Sequence, residues 1–324
     1  MDFTSVLVVN FNGRRFLDDC LSALERQTLP RRAFETLLID NGSTDDSVAF
    51  VRSRFPGVRV IALERNLGFT GANNVGFRLA RGRNLVLLNN DTRAHPDWLS
   101  ALVAAADRSG AGGVASRIVF RDDPNVLNST GLQLLRDGRG ADRDRGRADH
   151  PHPRKEGEIF GGCGAALLVR RELLDDLGGF DPELFMYYED LDLAWRGRLR
   201  GWRFVYEPAA VVEHVCGGSS EPSSPFVVHQ IERNRALIAM RNAPAGLALW
   251  SSAGLAARLG RECFRCLAGQ SRRGLTSARL RGMTAALAAV IARLPQRWLA
   301  RYETRVARRR RPDRNILRWM VEAP

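Results

Sequence analysis

The fold of this 324-residue chain is indicated most clearly by residues 85–92, which read Leu-Val-Leu-Leu-Asn-Asn-Asp-Thr. The four apolar residues predict a strand that is buried on both faces of a sheet, as parallel strands usually are. Polar residues and the carboxylate of Asp91 follow this strand, and ligands of open α/β sheets bind at the carboxyl ends of strands. An Asp in this position can hold a hard cation against a phosphate oxygen, but it can equally be a helix cap or a turn residue.

The same arrangement recurs upstream of that segment. Residues 6–9, 34–39 and 58–63 are largely apolar, and each run is followed by polar or glycine-containing residues and then by a helical pattern. Strands that alternate with helices predict an α/β fold with a mostly parallel, Rossmann-like sheet and flanking helices. Because the polar residues always follow the strands, we expect a nucleotide-type binding site along one edge of the sheet.

The basic residues are concentrated near the C-terminus. The chain has 49 Lys and Arg residues against 36 Asp and Glu residues, and residues 225–324 contain 20 arginines and 5 acidic residues. The remaining residues are therefore close to neutral. We predict a nucleotide-binding domain over residues 1–242 and a basic helical tail over residues 243–324.

The N-terminus and the cysteines predict the compartment. The first residues lack the basic and apolar regions of a signal peptide, and the five cysteines suggest no disulfide framework. We therefore expect a reduced, cytoplasmic protein. Cys263 and Cys266 form a single C-x-x-C pair within a helical pattern, which favours a structural role over a metal or redox role.

The loops after the first three predicted strands contain candidate ligand contacts. Asn10 ends the first strand, and Asp40 ends the second, where its carboxylate can bond a base or a ribose hydroxyl. The acidic residues just beyond Asp40 are explained by helix capping alone. Residues 66–76 are rich in Asn and Gly but match neither a dinucleotide fingerprint nor a P-loop. Their glycines permit a close backbone approach to a ligand or simply serve turn geometry.

Three segments downstream of residue 135 have distinctive compositions. Residues 180–193 form the most acidic cluster, in which crowded carboxylates next to Tyr residues suit a general base but also fit a helix N-terminus. His214 follows an apolar run and precedes a Gly-rich turn, so it is either a metal ligand or a hydrogen-bonded structural residue. Residues 136–158 are polar and turn-rich, which predicts a solvated loop or a flexible flap.

Taken in order, these segments resemble the family 2 inverting glycosyltransferases of the A-type fold, in their bacterial rhamnosyltransferase-like branch. The resemblance covers about residues 4–242. It rests on Val-Asn-Phe-Asn-Gly (9–13), Asp-Asn-Gly-Ser-Thr-Asp (40–45), Asn-Leu-Gly-Phe-Thr-Gly-Ala-Asn-Asn (66–74), Leu-Asn-Asn-Asp-Thr (88–92), Gly-Gly-Phe-Asp (178–181), Phe-Met-Tyr-Tyr-Glu-Asp-Leu-Asp-Leu (185–193) and His-Val-Cys-Gly-Gly-Ser (214–219).

The resemblance implies a nucleoside-diphosphate sugar as donor and assigns residues to it. Asp91 matches the last residue of the family's Asp-x-Asp motif and is implied to bind Mg²⁺ or Mn²⁺, with His214 as an additional ligand. This chain departs from the motif by having Asn where many relatives have the first Asp, which leaves one charged ligand there. The implied donor contacts are Asn10, Asp40, Asn66, Gly71, Asn73 and Asn89.

The same resemblance implies the reaction. Asp190 resembles the catalytic base, with Glu189 beside it, and a base must reach the proton that it removes. A hydroxyl of a lipid-linked or polysaccharide acceptor would attack the anomeric carbon in a single displacement with inversion. The family likeness points to rhamnose as the sugar and to cell-envelope glycan synthesis as the process.

The tail from residue 243 onwards predicts basic amphipathic helices. Leu255, Leu259, Cys263 and Leu267 form a stripe, with arginines on a neighbouring face. Such a tail fits an anionic membrane surface and a peripheral position on the inner face of the plasma membrane. The alternative is a set of helices packed on the domain, with a solvated arginine face. The apolar run at 245–257 is short for a spanning helix, and the absence of a recognition motif argues against nucleic-acid binding.

Two other classes of function remain open at this level. A nucleotidyltransferase on a similar sheet would want a basic, Gly-rich loop after the first strand, and residues 9–15 fit that pattern poorly. A catalytically inactive, nucleotide-binding membrane scaffold on a transferase fold has the same sequence features. Donor hydrolysis or sugar transfer distinguishes an enzyme from such a scaffold.

Overall fold

A computed structural model of the chain describes residues 2–149, 156–215, 224–268, 273–307 and 309–322. The Gly-rich turn predicted after His214 lies outside the described residues. The strands are β1 (Thr4–Asn10), β2 (Phe34–Asp40), β3 (Arg59–Ala62), β4 (Asn84–Asn89), β5 (Thr92–Ala94), β6 (Gly113–Phe120), β7 (Leu127–Ser129), β8 (Leu132–Leu135), β9 (Gly140–Asp142), β10 (Gly157–Ile159), β11 (Ala166–Arg170), β12 (Phe204–His214) and β13 (Met320–Val321).

Helices alternate with strands in the first half of the chain and dominate its end. They are α1 (Arg14–Glu25), α2 (Ser47–Arg54), α3 (Gly68–Leu79), α4 (Trp98–Ser109), α5 (Arg171–Leu177), α6 (Glu189–Arg200), α7 (Pro225–Asn242), α8 (Ala245–Leu267), α9 (Arg273–Ala292), α10 (Leu294–Tyr302) and α11 (Arg314–Leu317). None of the described helices is both long and apolar enough to cross a bilayer.

The central sheet has the order β10-β12-β6-β11-β4-β1-β2-β3, with β5 beside β12 and β7 beside β6. The pairings from β3 through β4 are parallel, as expected for strands joined by crossover helices. Beyond β4 the sheet is mixed, because β11 runs antiparallel to both β4 and β6. The chain reaches β11 through the short strands β8, β9 and β10 rather than through a crossover helix. The predicted α/β fold with flanking helices is confirmed.

Two apolar layers cover the faces of the sheet. Successive side chains of a strand point to opposite faces, so Val6 and Val8 join one core cluster while Leu7 joins the other. The first layer is closed by α1 and α4, including the buried Trp98. The second is closed by α3 and α6, including the buried Trp195. This double covering explains why the strands are apolar without alternation.

The region expected to be a solvated loop or flap is largely ordered structure. Strands β8 and β9 form an antiparallel hairpin, and β10 joins the edge of the central sheet. Between these strands, most of residues 136–149 are turns with partly or fully exposed side chains. The prediction of a loop is therefore wrong where β9 and β10 form, and residues 150–155 lie outside the described residues.

The C-terminal helices pack onto the rest of the protein. A small core of residues from α7, α8 and α9, including Leu237, Leu255 and Met283, joins these helices. The chain then returns to the sheet domain, where β13 pairs with β8. Arg258 binds Glu232 at 2.6 Å and Arg297 binds Asp181 at 2.7 Å. These contacts match the alternative of packed helices, and a domain boundary at residue 242 stays a prediction.

Candidate active site

Asn10, Asp40 and Asn89 are the last residues of β1, β2 and β4, so they meet at one edge of the sheet. The side-chain amide of Asn90 donates to Asn10 Oδ1 at 2.7 Å, and Asn10 Nδ2 donates to Asp40 Oδ1 at 3.0 Å. A Cβ atom on Gly13 would overlap the side chains of both Asn10 and Asn90. The glycine is therefore required by the close approach of this amide chain.

The carboxylate of Asp40 is directed into the loop that follows β2. It is 2% exposed, and Ser43 donates to it twice, from Oγ to Oδ1 at 2.6 Å and from the backbone N to Oδ2 at 3.0 Å. Burial and these bonds give Asp40 a loop-ordering role. A direct contact between Asp40 and a nucleotide base stays a prediction.

Asn66, Gly71 and Asn73 surround the N-terminus of α3. Asn66 Oδ1 accepts from Asn41 Nδ2 at 2.9 Å and from Gly68 N at 2.8 Å, while its residue surface is exposed. Asn73 is buried and donates to Phe69 O at 2.9 Å within the helix. Of these three residues, Asn66 alone combines exposure with polarity, and donor contacts for all three stay predictions.

Asp91 and His214 lie side by side. Strand β5 pairs with β12 so that His214 is opposite Thr92, and His214 Nε2 lies 3.3 Å from Asp91 Oδ1. Both side chains are buried, and Asp91 Oδ1 has no hydrogen-bond donor among the described residues. Both residues are metal-ligand candidates from the sequence, and the structure brings them together.

Asn128, which the sequence analysis missed, orients the imidazole. Its Oδ1 lies 3.1 Å from His214 Nδ1. An amide oxygen can only accept a hydrogen bond, so this contact requires a hydrogen on Nδ1, and in the neutral ring Nε2 then presents a lone pair to Asp91. A lone pair and a carboxylate oxygen at 3.3 Å repel each other unless a proton or a cation lies between them. The pair therefore has the electrostatics of a cation site or of a charged His–Asp ion pair.

The pair fits an octahedral divalent cation as two of its ligands. Ligands about 2.1 Å from such an ion and at right angles are about 3 Å apart, close to the 3.3 Å observed between the two side chains. Within the described part of the chain, no third His, Cys, Asp or Glu joins them. An ion held here would complete its coordination with water and phosphate oxygens.

Asp190 lies in the first turn of α6 and is partly exposed. Gly164 N donates to its Oδ2 at 2.9 Å, and Leu191 N donates to its Oδ1 at 2.7 Å. Burial by the surrounding protein, together with the negative charge of Asp142, raises the pKa of Asp190 to about 6. A carboxylate with this pKa is ionised at neutral pH and is basic enough to accept a proton.

Glu189 differs from its neighbour in burial and in charge. It is 7% exposed, and its Oε2 has no hydrogen-bond partner among the described residues. Burial, followed by the negative charge of Asp190, raises the pKa of Glu189 to about 8. Environment thus separates two adjacent carboxyl groups into an ionised and a protonated one at neutral pH.

The third carboxylate of the acidic cluster, Asp192, is structural. Burial alone would raise its pKa, but the charges of Arg196 and Arg241 outweigh burial and hold the pKa below its usual range. Arg196 and Arg241 each donate to Asp192 at 2.8 Å, and Asn242 donates to its other oxygen at 2.8 Å. Asp192 therefore links α6 to α7.

Asp142, at the end of β9, is a further site residue that the sequence analysis missed. Strand β9 packs against the first turn of α6, where Gly140 lies against Leu191, and the negative charge of Asp142 contributes to the raised pKa of Asp190. Burial raises the pKa of Asp142, and its Oδ1 has no hydrogen-bond partner among the described residues. The polar composition of residues 136–158 concealed it, because no local pattern marks a half-buried Asp in a hairpin.

Comparison with known proteins agrees with this geometry. Residues 5–178 match the model of the family described as "Glycosyl transferase family 2". The N-acetylglucosaminyl-diphospho-decaprenol L-rhamnosyltransferase of Mycobacterium tuberculosis is 30% identical over 255 residues, covering 70% of this chain and 81% of that protein.

Solved structures share the fold at low sequence identity. The structure of GalNAc-T7 with UDP, GalNAc and Mn²⁺ has a TM-score of 0.59 at 18% identity and covers 74% of this chain and 48% of that one. A mannosyltransferase from Pyrobaculum calidifontis, solved with GDP-Man and Mn²⁺, has a TM-score of 0.55 at 18% identity and covers 90% and 86%. Fold, family model and sequence relative agree, and the chain belongs to the family 2 glycosyltransferases, of rhamnosyltransferase-like type.

Proposed function

We propose that the protein transfers a sugar, rhamnose first among the candidates, from a nucleoside-diphosphate donor to a hydroxyl of a lipid-linked acceptor, with inversion. The observation that carries the proposal is the buried pair of Asp91 and His214, whose side chains lie 3.3 Å apart just beyond the end of β4 in a chain of glycosyltransferase family 2. The mycobacterial relative, named for rhamnosyl transfer to a lipid-linked N-acetylglucosaminyl diphosphate, supports the choice of acceptor class.

The base chemistry follows from Asp190. The acceptor oxygen forms a bond to the anomeric carbon while the bond between that carbon and the diphosphate oxygen breaks. Asp190 takes the hydroxyl proton, and its two backbone hydrogen bonds hold the carboxylate in one orientation. The neutral Glu189 next to it keeps a second negative charge away from the incoming acceptor.

Asp91 and His214 are the residues that would hold Mg²⁺ or Mn²⁺. A bound divalent cation would offset the negative charge of the diphosphate leaving group. Asn128 keeps the His214 ring turned so that Nε2 faces Asp91. Orientation of a ligating imidazole through its second nitrogen is the usual arrangement at metal sites.

The test of the proposed donor is a thermal-shift panel. It includes dTDP-rhamnose, UDP-galactofuranose, UDP-galactose, UDP-GlcNAc and their nucleoside diphosphates, each with Mn²⁺, Mg²⁺ or EDTA. A ligand that binds only the folded protein raises the melting temperature by mass action. A metal-dependent rise with dTDP-rhamnose supports the proposal. A rise with another nucleotide sugar alone would identify that compound as the donor in place of dTDP-rhamnose. Binding without any transfer or donor hydrolysis supports the inactive scaffold instead.

We also propose that an exposed face of α8 contacts the anionic membrane surface. The face, here called the α8 surface, consists of Leu249, Trp250, Phe264 and Leu267, and the last of these is 89% exposed. At 3.6 residues per turn, these four side chains fall within an arc of about 100°. The exposed Arg261 and Arg265 border this arc, which complements anionic lipid.

Co-sedimentation with vesicles tests the α8 surface. The full chain is expected to pellet with phosphatidylglycerol vesicles and much less with phosphatidylcholine vesicles. Replacing Phe264 and Leu267 by Ser should abolish pelleting, while Leu317→Ser, at an exposed apolar residue of α11, should not. Equal pelleting of all three proteins would reject the α8 surface as the contact.

A further inference from the structure

The segment that precedes Asp190 contains several non-glycine residues with positive φ angles. Phe185, Tyr187 and Tyr188 have φ values of 62°, 69° and 70°, which non-glycine residues rarely adopt. Phe185 is the centre of a tight turn in which Met186 N donates to Leu184 O at 2.7 Å. Such conformations persist only where the surroundings hold them, and they cluster at functional sites. Residues 184–190 are called the base segment below.

Asn234 of α7 holds the middle of the base segment. Its side-chain nitrogen lies 2.8, 2.9 and 2.8 Å from the carbonyl oxygens of Leu184, Met186 and Tyr187. An amide nitrogen carries two hydrogens, so at least one of them is shared between two carbonyls. Asn234 is fully buried, and its own oxygen accepts from Arg233 Nη1 at 2.8 Å. That bond fixes which end of the amide faces the base segment.

Other contacts hold the edges of the base segment. Thr70 N donates to Phe185 O at 3.0 Å, and a Cβ atom on Gly68 would overlap Phe185. Upstream, Arg233 donates to Glu183 O at 2.7 Å, and Arg297 of α10 binds the carboxylate of Asp181 at 2.7 Å. Among the described residues, the side chain of Asn234 is the one that contacts three carbonyl groups of this strained backbone.

We propose that Asn234 is a positioning residue for Asp190, acting by holding the base segment in its left-handed conformation. The inference rests on the proposed role of Asp190 as the base. It also gives α8, α9 and α10 a function besides any membrane contact, because they pack around the helix that carries Asn234. Removing the side-chain donors frees the strained backbone and moves Asp190 relative to the acceptor hydroxyl.

Asn234→Asp is the main test variant, because it keeps the shape and the bond from Arg233 but removes the donated hydrogen bonds. Gln27→Glu is the matched control. Gln27 is also a buried side-chain amide that donates to two carbonyls, those of Ala23 at 3.1 Å and His95 at 2.8 Å, and accepts from Leu99 N. These hydrogen bonds connect the C-terminal end of α1 to the turn before α4, away from the base segment.

Two readouts are needed. The first is hydrogen–deuterium exchange of peptides covering residues 184–192, which requires no substrate. The second is steady-state transfer from dTDP-rhamnose to a synthetic lipid-linked GlcNAc diphosphate. For Asn234→Asp we expect at least tenfold faster exchange in this segment. We also expect a kcat lower by about 100-fold, with a donor KM within about twofold of wild type, because a misplacement of about 1 Å can cost this much.

Gln27→Glu should leave both readouts near wild type even if it lowers the melting temperature. The proposal is overturned if exchange in residues 184–192 is unchanged in Asn234→Asp, or if both variants lose the same share of kcat. Should Asn234→Asp not fold, Asn234→Ala is measured in the same way. A wild-type enzyme that fails to use dTDP-rhamnose refutes the proposed donor, whereas the exchange experiment still decides the role of Asn234.

Discussion

Replacing Asp190 by Asn is expected to abolish sugar transfer. At pH 7.5, the free energy of unfolding of this variant should be close to or above that of the wild type. Two opposing terms determine the stability. The pKa of Asp190 is raised from 3.8 to about 6, mainly by burial, so at pH 7.5 its ionised form lowers the free energy of unfolding by about 3 kcal/mol. The neutral Asn removes this cost. However, Asn has one acceptor oxygen for the two backbone N–H groups of Gly164 and Leu191, and an unsatisfied N–H costs about 1–3 kcal/mol.

The sign of the pH dependence follows from the raised pKa. A folded-state pKa above the unfolded value gives stability that is complete below about pH 3.8 and is lost as the pH rises through about 6. The Asn variant lacks this loss. Relative to wild type, it should therefore gain stability as the pH is raised from 4 to 7. Its kcat should be about 10²–10⁴ lower than that of wild type above pH 6, where the wild-type Asp190 is ionised.

Asp192→Asn is the matched control, since it makes the same substitution two residues further along α6. Asp192 is fully buried between Arg196 and Arg241, and its pKa is held below the usual range. Removing one partner of a buried ion pair costs about 3–5 kcal/mol, so this variant should be the less stable of the two. Urea unfolding at pH 5, 6 and 7.5 measures both.

Two results would refute the reasoning. Transfer by Asp190→Asn within tenfold of wild type would remove Asp190 as the base. The second result is a larger loss of stability at pH 7.5 in Asp190→Asn than in Asp192→Asn. It would show that the buried negative charge of Asp190 does not lower the free energy of unfolding as its raised pKa indicates.

Three further outcomes are expected. The kcat of the wild type should be half-maximal near pH 6 and fall about tenfold per pH unit below it, as Asp190 is protonated; a flat profile from pH 5 to 8 would contradict this. Asn128→Leu should weaken Mn²⁺ binding about 10–100-fold by calorimetry in the presence of the nucleotide, with His214→Ala as the comparison; unchanged affinity would disprove the orienting role. Gly13→Ala should reduce nucleotide binding, because the added Cβ displaces Asn10 and Asn90; normal thermal shifts would argue against it.

The candidate site was partly predictable because its residues follow strands. Asn10, Asp40 and Asp91 each come after an apolar run, and parallel strands bring their carboxyl ends to one edge. Asn128, Asp142 and Asn234 were not predictable. Each sits in a segment whose local pattern is ordinary for a turn, a hairpin or a helix, and each acts on a residue distant in the chain.

The basic tail shows the limit of composition as evidence. Counting arginines indicated a surface for anionic lipid, but Arg297 and Arg301 bind groups of the protein itself, the first a carboxylate and the second backbone carbonyls. A count of charged residues does not show which arginines form ion pairs or hydrogen bonds within the folded protein. The exposed apolar side chains of α8 are the feature that keeps a membrane contact as a proposal.

The sequence by itself determined the parallel half of the sheet, its covering helices and the family, because strand and helix periodicity and the motifs at strand ends are local properties. The tertiary structure decided which side chains share an environment. It placed His214 against Asp91 through the pairing of β5 with β12. It also gave the three carboxyl groups of Glu189, Asp190 and Asp192 different pKa values. The contact of His214 with Asp91 and the pKa differences both depend on burial and on contacts between distant segments. No short stretch of the chain encodes such burial or such contacts.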